Sequence, residues 1–424
     1  MEDIFALHGA VCYSISPQEI RTFESAYLVC RDGKVAGIYE KLPEEFRGIP
    51  VLERPHCLLL PGLTDLHVHA PQFAYMGSGM DMPLLEWLEV NAFPEEARYS
   101  DLSYARESYA LFTEAMRQGA TTRASIFATV HPQATLLLME QLEEAGLYTY
   151  VGKVSMDRNA PSYLAEPSPQ ASQEATRTWL QLCERRFHTT FPILTPRFIP
   201  SCSQDCLAGL AQLQKELGLP VQSHLSENHS EIAWVRELCP QAASYTDAYV
   251  QAGMIGDAVP AIMAHCVHMT DEEIEILKTH QVFVAHCPAS NTNIRSGIAP
   301  IRKYLQQGLC VGLGSDVAGG DSLRIFDAMT DAIKVSKLRA CLTEDTKAEL
   351  KFAEAFYMGT KGGGAFFGKV GSFEEGYAFD VVVLDDTDLR AVRTMPVAKR
   401  LERAVYLSED RHISDKYVCG KKIK

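Results

Sequence analysis

Two histidines one residue apart, His67 and His69, end the apolar run Pro61-Gly62-Leu63-Thr64-Asp65-Leu66-His67-Val68-His69. In an extended strand, residues two apart point to the same face, so both imidazoles can converge on one metal ion. His224 with Glu227, His265 and Asp316 follow downstream as further donors. Three imidazoles and a carboxylate, from His67, His69, His224 and Asp316, form a set suited to a borderline cation such as zinc or ferrous iron, with a position open for water. Water on such a cation loses its proton near neutral pH and becomes a nucleophile, so the expected chemistry is hydrolytic. Glu227, three residues past His224, is placed to shuttle a proton without binding metal. Asp316 can share the proton work while ligating. His265 has three readings: a hydrogen-bond donor to the reacting oxygen, a fifth ligand, or a support behind the ligands.

A carbamylated lysine bridging two metals is the competing arrangement, and Lys153 is the residue that would supply it. Lys153 falls inside an expected strand and reads better as a buried, paired lysine, which leaves a mononuclear site. His286 is divided between a supporting role and packing. The P-C-x-x-C element of another zinc deaminase architecture, the G-x-S-x-G of hydroxyl-triad hydrolases and a Walker phosphate loop are all absent.

These residues need strands to hold them. Valine-, isoleucine- and alanine-rich runs at 60–69, 121–127, 148–156, 193–198, 221–225, 261–266, 282–287 and 310–316 alternate with amphipathic stretches such as 104–119, 134–146, 173–187 and 206–218. A helix over 271–280 has Thr270 as candidate N-cap. Eight βα units predict an α/β fold, a (β/α)8 TIM barrel, and each candidate ligand then sits at the C-terminal end of a strand, where barrel active sites are built. Helical patterns continue over 322–338 and 343–359 until the cluster Gly362-Gly363-Gly364. At the N-terminus, runs at 25–31 and 34–40 flank the hairpin dipeptide Asp32-Gly33. The tail reads as short strands at 380–384, 403–408 and 417–419. Both chain ends are therefore expected to share a small β-sandwich domain, 1–60 with 369–424, around a metal-dependent hydrolase barrel of 61–368.

Composition narrows the partner. Forty basic against 54 acidic residues leave a formal charge of −14, which argues against a nucleic-acid footprint or an anionic membrane surface and for a small-molecule substrate. No apolar run reaches the length of a membrane span, and the acidic opening Met1-Glu2-Asp3 lacks a basic secretory n-region, so a cytoplasmic location is expected. Twelve cysteines without a C-x-x-C pair suggest reduced packing residues, Cys202 and Cys206 included.

Over nearly its whole length the chain resembles the amidohydrolase superfamily, through P-G-L-T-D-L-H-V-H, Q-S-H-L-S-E, M-A-H-C-V-H, A-H-C-P-A-S-N, G-L-G-S-D and the tail phrase G-S-F-E-E-G-Y-A-F-D-V-V-V-L-D. Within it, H-A-P-Q-F, P-L-L-E-W-L, G-K-V-S-M-D, T-P-R-F and S-D-V-A-G-G resemble the guanine deaminase branch. That resemblance implies one Zn2+ per chain, Fe2+ being the alternative, on His67, His69, His224 and Asp316. It implies purine contacts from Gln72, Arg197, Phe198, His224 and Glu227, and a homodimer. The implied reaction is hydrolysis of guanine to xanthine and ammonia by a metal-bound hydroxide, in purine catabolism or salvage, with Glu227, His265 and Asp316 as catalytic residues. Arg197 and Gln72 suit the lactam oxygen and ring nitrogens of guanine, and Phe198 a planar ring. The alternatives are an aminohydrolase for another heterocycle (a pyrimidine, a triazine or a modified purine), cyclic-amide hydrolysis at a binuclear centre using Lys153, and a non-catalytic scaffold.

Overall fold

The computed structural model describes residues 4–256, 259–389 and 391–424. Its centre is a closed ring of parallel strands. Leu63–His69, Thr121–Phe127, Tyr148–Gly152 and Thr190–Pro192 form one arc, and Val221–Leu225, Ala261–His265, Phe283–His286 and Cys310–Leu313 the other. Leu194 bridges to Val221 where the arcs meet. At the opposite seam Asp316 N donates to His67 O at 2.9 Å and His69 N to Val317 O at 3.2 Å. Eight strands with helices between them are the expected TIM barrel.

Local chemistry explains most of these elements. Leu63–His69, Thr121–Phe127 and Ala261–His265 are buried end to end, as a sheet covered on both faces requires. Thr270 caps Asp271–Thr279 reciprocally with Glu273, a capping box. The expected strands 148–156 and 193–198 are each broken, and short pieces Val154–Ser155 and Thr195–Pro196 resume side by side after the break. Here the backbones crowd: a Cβ on Gly152 would stand 1.7 Å from Thr195 Oγ1. The base of the barrel is plugged by Phe366, whose ring meets Tyr150 at 5.4 Å and Phe283 at 5.3 Å. Only the other mouth is left for a site.

The helix expected over 322–338 runs as Ile325–Thr343 and stops where Glu344 turns left-handed, φ 55°. The next helix, expected from 343, therefore begins only at Phe352–Tyr357. No helix among the described residues is long and apolar enough to cross a membrane.

Both chain ends join one seven-stranded sheet, ordered Lys421–Lys422, Ile413–Val418, Val381–Asp385, Val51–Pro61, Ile4–Ser16, Glu19–Arg31, Lys34–Tyr39. Asp32 and Gly33 turn its hairpin with φ of 49° and 74°. The sheet rolls over its own apolar core: Phe5 meets Tyr417 with ring centroids 5.8 Å apart although two strands separate theirs, and Lys34 bridges Ala378. One expectation fails here. Residues 403–408 are not a strand; they fall in and just beyond the helix Val397–Leu407. Its buried Val397, Leu401, Ala404 and Val405 make one helical stripe packed on Ile325–Thr343 and the first two strands, and that packing overrides the β preference of valine and tyrosine.

Barrel and sheet are riveted by buried polar side chains. Arg123 Nε meets Asp380 Oδ2 at 2.6 Å while its guanidinium lies 3.8 Å from the Tyr148 ring centre. Lys416 Nζ donates to the carbonyls of Met116, Gly119 and Thr121 at 2.7, 2.8 and 3.0 Å. Asp380→Ala strands the Arg123 charge, and a loss of about 3–5 kcal/mol is expected from urea unfolding. Arg123→Met/Asp380→Ala should lose less than the two single changes summed, as a double-mutant cycle will show.

Candidate active site

The first strand delivers His67 and His69 to the mouth, and the last strand leads into Asp316 beside them. Asp65 organises this seam: its carboxylate accepts from His67 N and Ser315 N, both at 3.1 Å, and from Ser315 Oγ at 2.5 Å. Gly314 permits the close approach, since a Cβ there would stand 2.9 Å from the His67 Cβ. Four residues at the strand ends, Ser226, His265, Cys266 and Asp316, hold φ between 47° and 72° without being glycine. Such conformations cost on the order of 1–3 kcal/mol each and persist where surrounding structure imposes them.

Three imidazoles and one carboxylate meet here. His69 Nε2 lies 3.2 Å from both His67 Nε2 and His224 Nε2, and Asp316 Oδ1 lies 3.0 Å from His67 Nε2 and 3.5 Å from His69 Nε2. Donors bound tetrahedrally to one ion at about 2.0–2.1 Å stand about 3.3–3.4 Å apart, so the set fits a single small divalent cation. The His224 tautomer agrees: Nδ1–H donates to Arg197 O at 2.6 Å, leaving the Nε2 lone pair for the cluster.

Electrostatics favour the ligating forms. Burial lowers the pKa of His67, and those of His69 and His224 further, against the pull of Asp316 on His67 and His69. Phe127 contributes to that burial, with ring centroids 4.6–4.9 Å from all three. Burial alone would raise Asp316, yet His67, His265 and His69 hold it below the usual carboxylate range. Neutral nitrogens and an ionised oxygen are what a cation binds.

Glu227 stands beside this cluster. Burial pushes its carboxyl up to about 7, partly offset by His265, whose Nε2 is 3.4 Å from Glu227 Oε2 and 3.7 Å from Asp316 Oδ2. Asn291 Oδ1 fixes the other nitrogen of His265 at 2.9 Å, and Ser296 Oγ donates to Glu227 Oε1 at 2.8 Å.

Above these groups opens a narrow cleft. Gln72, Arg197 and Phe198 line it together with His69, His224, Glu227, His265 and Asp316, so residues from 69 to 316 share one cavity, and His67 lies buried against it. Leu84, Trp87, Leu88 and Ile294 supply an apolar wall. Sequence reasoning missed Glu96, which binds both Arg197 and Gln72, and Ser296; neither lies in a motif. Asn291 was within reach, because it ends the phrase A-H-C-P-A-S-N.

Lys153 is elsewhere. It is buried, ion-paired with Glu166, and 3.3 Å from Thr176 Oγ1 on the helix Pro169–Cys183, away from the cleft. His286 is buried with its pKa lowered to about 3 by burial, and does not line the cleft. Cys202 Sγ donates to Ser155 O at 3.1 Å and Cys206 Sγ approaches Ser172 Oγ, which is packing.

Known proteins resemble this chain in sequence and fold. The amidohydrolase family matches residues 58–423. A probable guanine deaminase of Schizosaccharomyces pombe is 36% identical over 421 residues, 96% of this chain and 76% of that one. The guanine deaminase of Escherichia coli (strain K12) is 34% identical over 428 residues, 96% and 93% of the two chains. A guanine deaminase from C. acetobutylicum, solved with guanine in its active site, superposes with a TM-score of 0.97 at 40% identity, covering 100% of both chains. With the family matched from within the strand Val51–Pro61 to the tail, this chain belongs to the amidohydrolase family.

Proposed function

We propose that this protein is a metal-dependent aminohydrolase that converts guanine and water to xanthine and ammonia, serving purine catabolism or salvage. The observation that carries the reading is the cleft itself: a cluster of three imidazoles and a carboxylate at its floor and N–H-bearing Gln72 and Arg197 on its wall, in a chain superposable on a guanine deaminase that holds guanine. His67, His69, His224 and Asp316 would hold one cation per chain, zinc in our reading with ferrous iron as the alternative. Bound there, the cation would acidify water and polarise oxygen at the reacting carbon.

The residues of the chain do the rest. Glu227 removes a proton from the water that adds to C2 and delivers it to the ring nitrogen N3. The proton on the new C2 hydroxyl then passes to the departing amine, so that C2=O forms, the C2–N bond breaks and ammonia leaves. A carboxyl shifted to about 7 exchanges protons readily at neutral pH. His265, whose Nδ1–H is held by Asn291 Oδ1, donates from Nε2 to the oxygen that develops at C2 as the imidazolium that Glu227 and Asp316 favour against burial. Gln72 and Arg197 donate to the lactam edge, and Phe198 covers a ring face.

The barrel of 61–368 carries this chemistry, and 1–60 with 369–424 forms the composite unit that braces it. A reducing, cytoplasmic setting is our reading of twelve scattered cysteines without a C-x-x-C pair. Exposed Leu338 and Leu342, one helical turn apart on Ile325–Thr343, support a homodimer.

Ammonia release measured with guanine, cytosine, adenosine and ammeline should be confined to guanine; silence on guanine ends this reading. Glu227→Gln should keep its metal and lose about 10²–10⁴-fold in kcat, and near-normal turnover would remove Glu227 from the proton path. Chelation should abolish turnover and one equivalent of zinc per chain restore it; a requirement for two would point to a binuclear centre.

A further inference from the structure

Glu96 is buried on the short helix Phe93–Ala97 and does not line the cleft. Its Oε2 accepts from Arg197 Nη1 at 2.5 Å and its Oε1 from Gln72 Nε2 at 2.9 Å. On its other side Gln72 Oε1 accepts from the backbone N–H of Ala318 at 3.1 Å. The Arg197 guanidinium rests 5.0 Å from the Phe93 ring centre.

A primary amide presents either oxygen or NH2 after half a turn, at almost no change in shape. Gln72 lacks that freedom. The ionised carboxylate of Glu96 only accepts and the Ala318 N–H only donates, so the amide has one satisfied orientation. The hydrogen that remains for the cleft is its second Nε2–H. Arg197 has donors and no acceptor, and one donor is spent on Glu96, whose charge also balances it. Arg197 therefore faces the cleft as a donor alone, and Gln72 turns its free Nε2–H there while Oε1 is held on Ala318.

We infer that Glu96 is a specificity-determining positioning residue: by locking Gln72 and Arg197 as donors, it makes the cleft select bases that present oxo and ring-nitrogen acceptors over bases that present an amino group at the same edge. This rests on the guanine reading and deepens it. Guanine turns O6 and N7, both acceptors, to such a wall. 2,6-Diaminopurine has the same ring and the same leaving amine at C2, but its C6 amino group sets N–H against N–H and leaves buried donors unpaired.

The test is the ratio of kcat/KM for guanine to that for 2,6-diaminopurine, with metal content and the unfolding midpoint measured alongside. The wild type should prefer guanine by about a thousandfold or more. In Glu96→Gln the neighbouring amide can donate as well as accept and the negative charge beside Arg197 is gone, so that only the Ala318 N–H still holds Gln72 in place; the ratio should fall at least about tenfold while metal content holds. Glu96→Asp keeps an acceptor-only group and should preserve the ratio even where both rates drop. The exchange Gln72→Glu/Glu96→Gln conserves the buried charge and puts an acceptor on the wall, so it should move the preference furthest toward the diamino base, and it serves if the single change does not fold. Parallel losses on both bases with an unchanged ratio in these variants would overturn the inference and leave Glu96 a structural residue. A wild type that does not turn over guanine refutes the substrate reading instead.

Discussion

The seam at which the barrel closes is the interaction on which the site depends. Asp316 N–H bonds to His67 O, and the Asp65 carboxylate gathers His67 N, Ser315 N and Ser315 Oγ. First and last strands are thus pinned by the residues that carry the candidate ligands. Barrel closure and site assembly are one event. Burial pushes the Asp65 carboxyl up to about 7, a penalty met by the hydrogen bonds from Ser315 and His67. On this seam the backbone is also left-handed at Asp316, φ 48°.

Burial then sorts the charges. An apolar floor at Phe127 favours neutral imidazoles, while the imidazoles around Asp316 favour its anion. Glu227, one step further from the cluster, is left near its balance point between protonated and ionised forms. Environment alone drives the two carboxylates in opposite directions, Asp316 down and Glu227 up. On the opposite wall a buried ion pair, Arg197 with Glu96, keeps a guanidinium beside the cleft with its charge balanced.

The terminal sheet contributes by bracing. Arg123, on the strand next to His67, is paired to Asp380 of the tail, and Lys416 ties the carbonyls at the end of one helix and the start of that strand. Restraint of the second strand is passed to the first through their parallel pairing. A unit remote from the cleft thereby limits how far the histidines can drift.

Much of this was readable before folding because it is local. Alternation of apolar runs with amphipathic stretches marked the eight strands, Asp32-Gly33 marked a hairpin, Thr270 marked a helix start, and the H-x-H spacing put two imidazoles on one face. Where local preference and packing disagreed, packing won: the segment 403–408 looks extended, but neighbours beyond it fold Val397–Leu407 as a helix. The sequence by itself determined the barrel and the residues at its strand ends, since strand period and ligand type are properties of a few adjacent positions. Only the tertiary structure decided that Lys153 turns to Glu166 and that Glu96 meets Arg197 across 101 residues and Gln72 across 24. Those partnerships depend on which elements the closed ring brings side by side, and no short-range pattern encodes that.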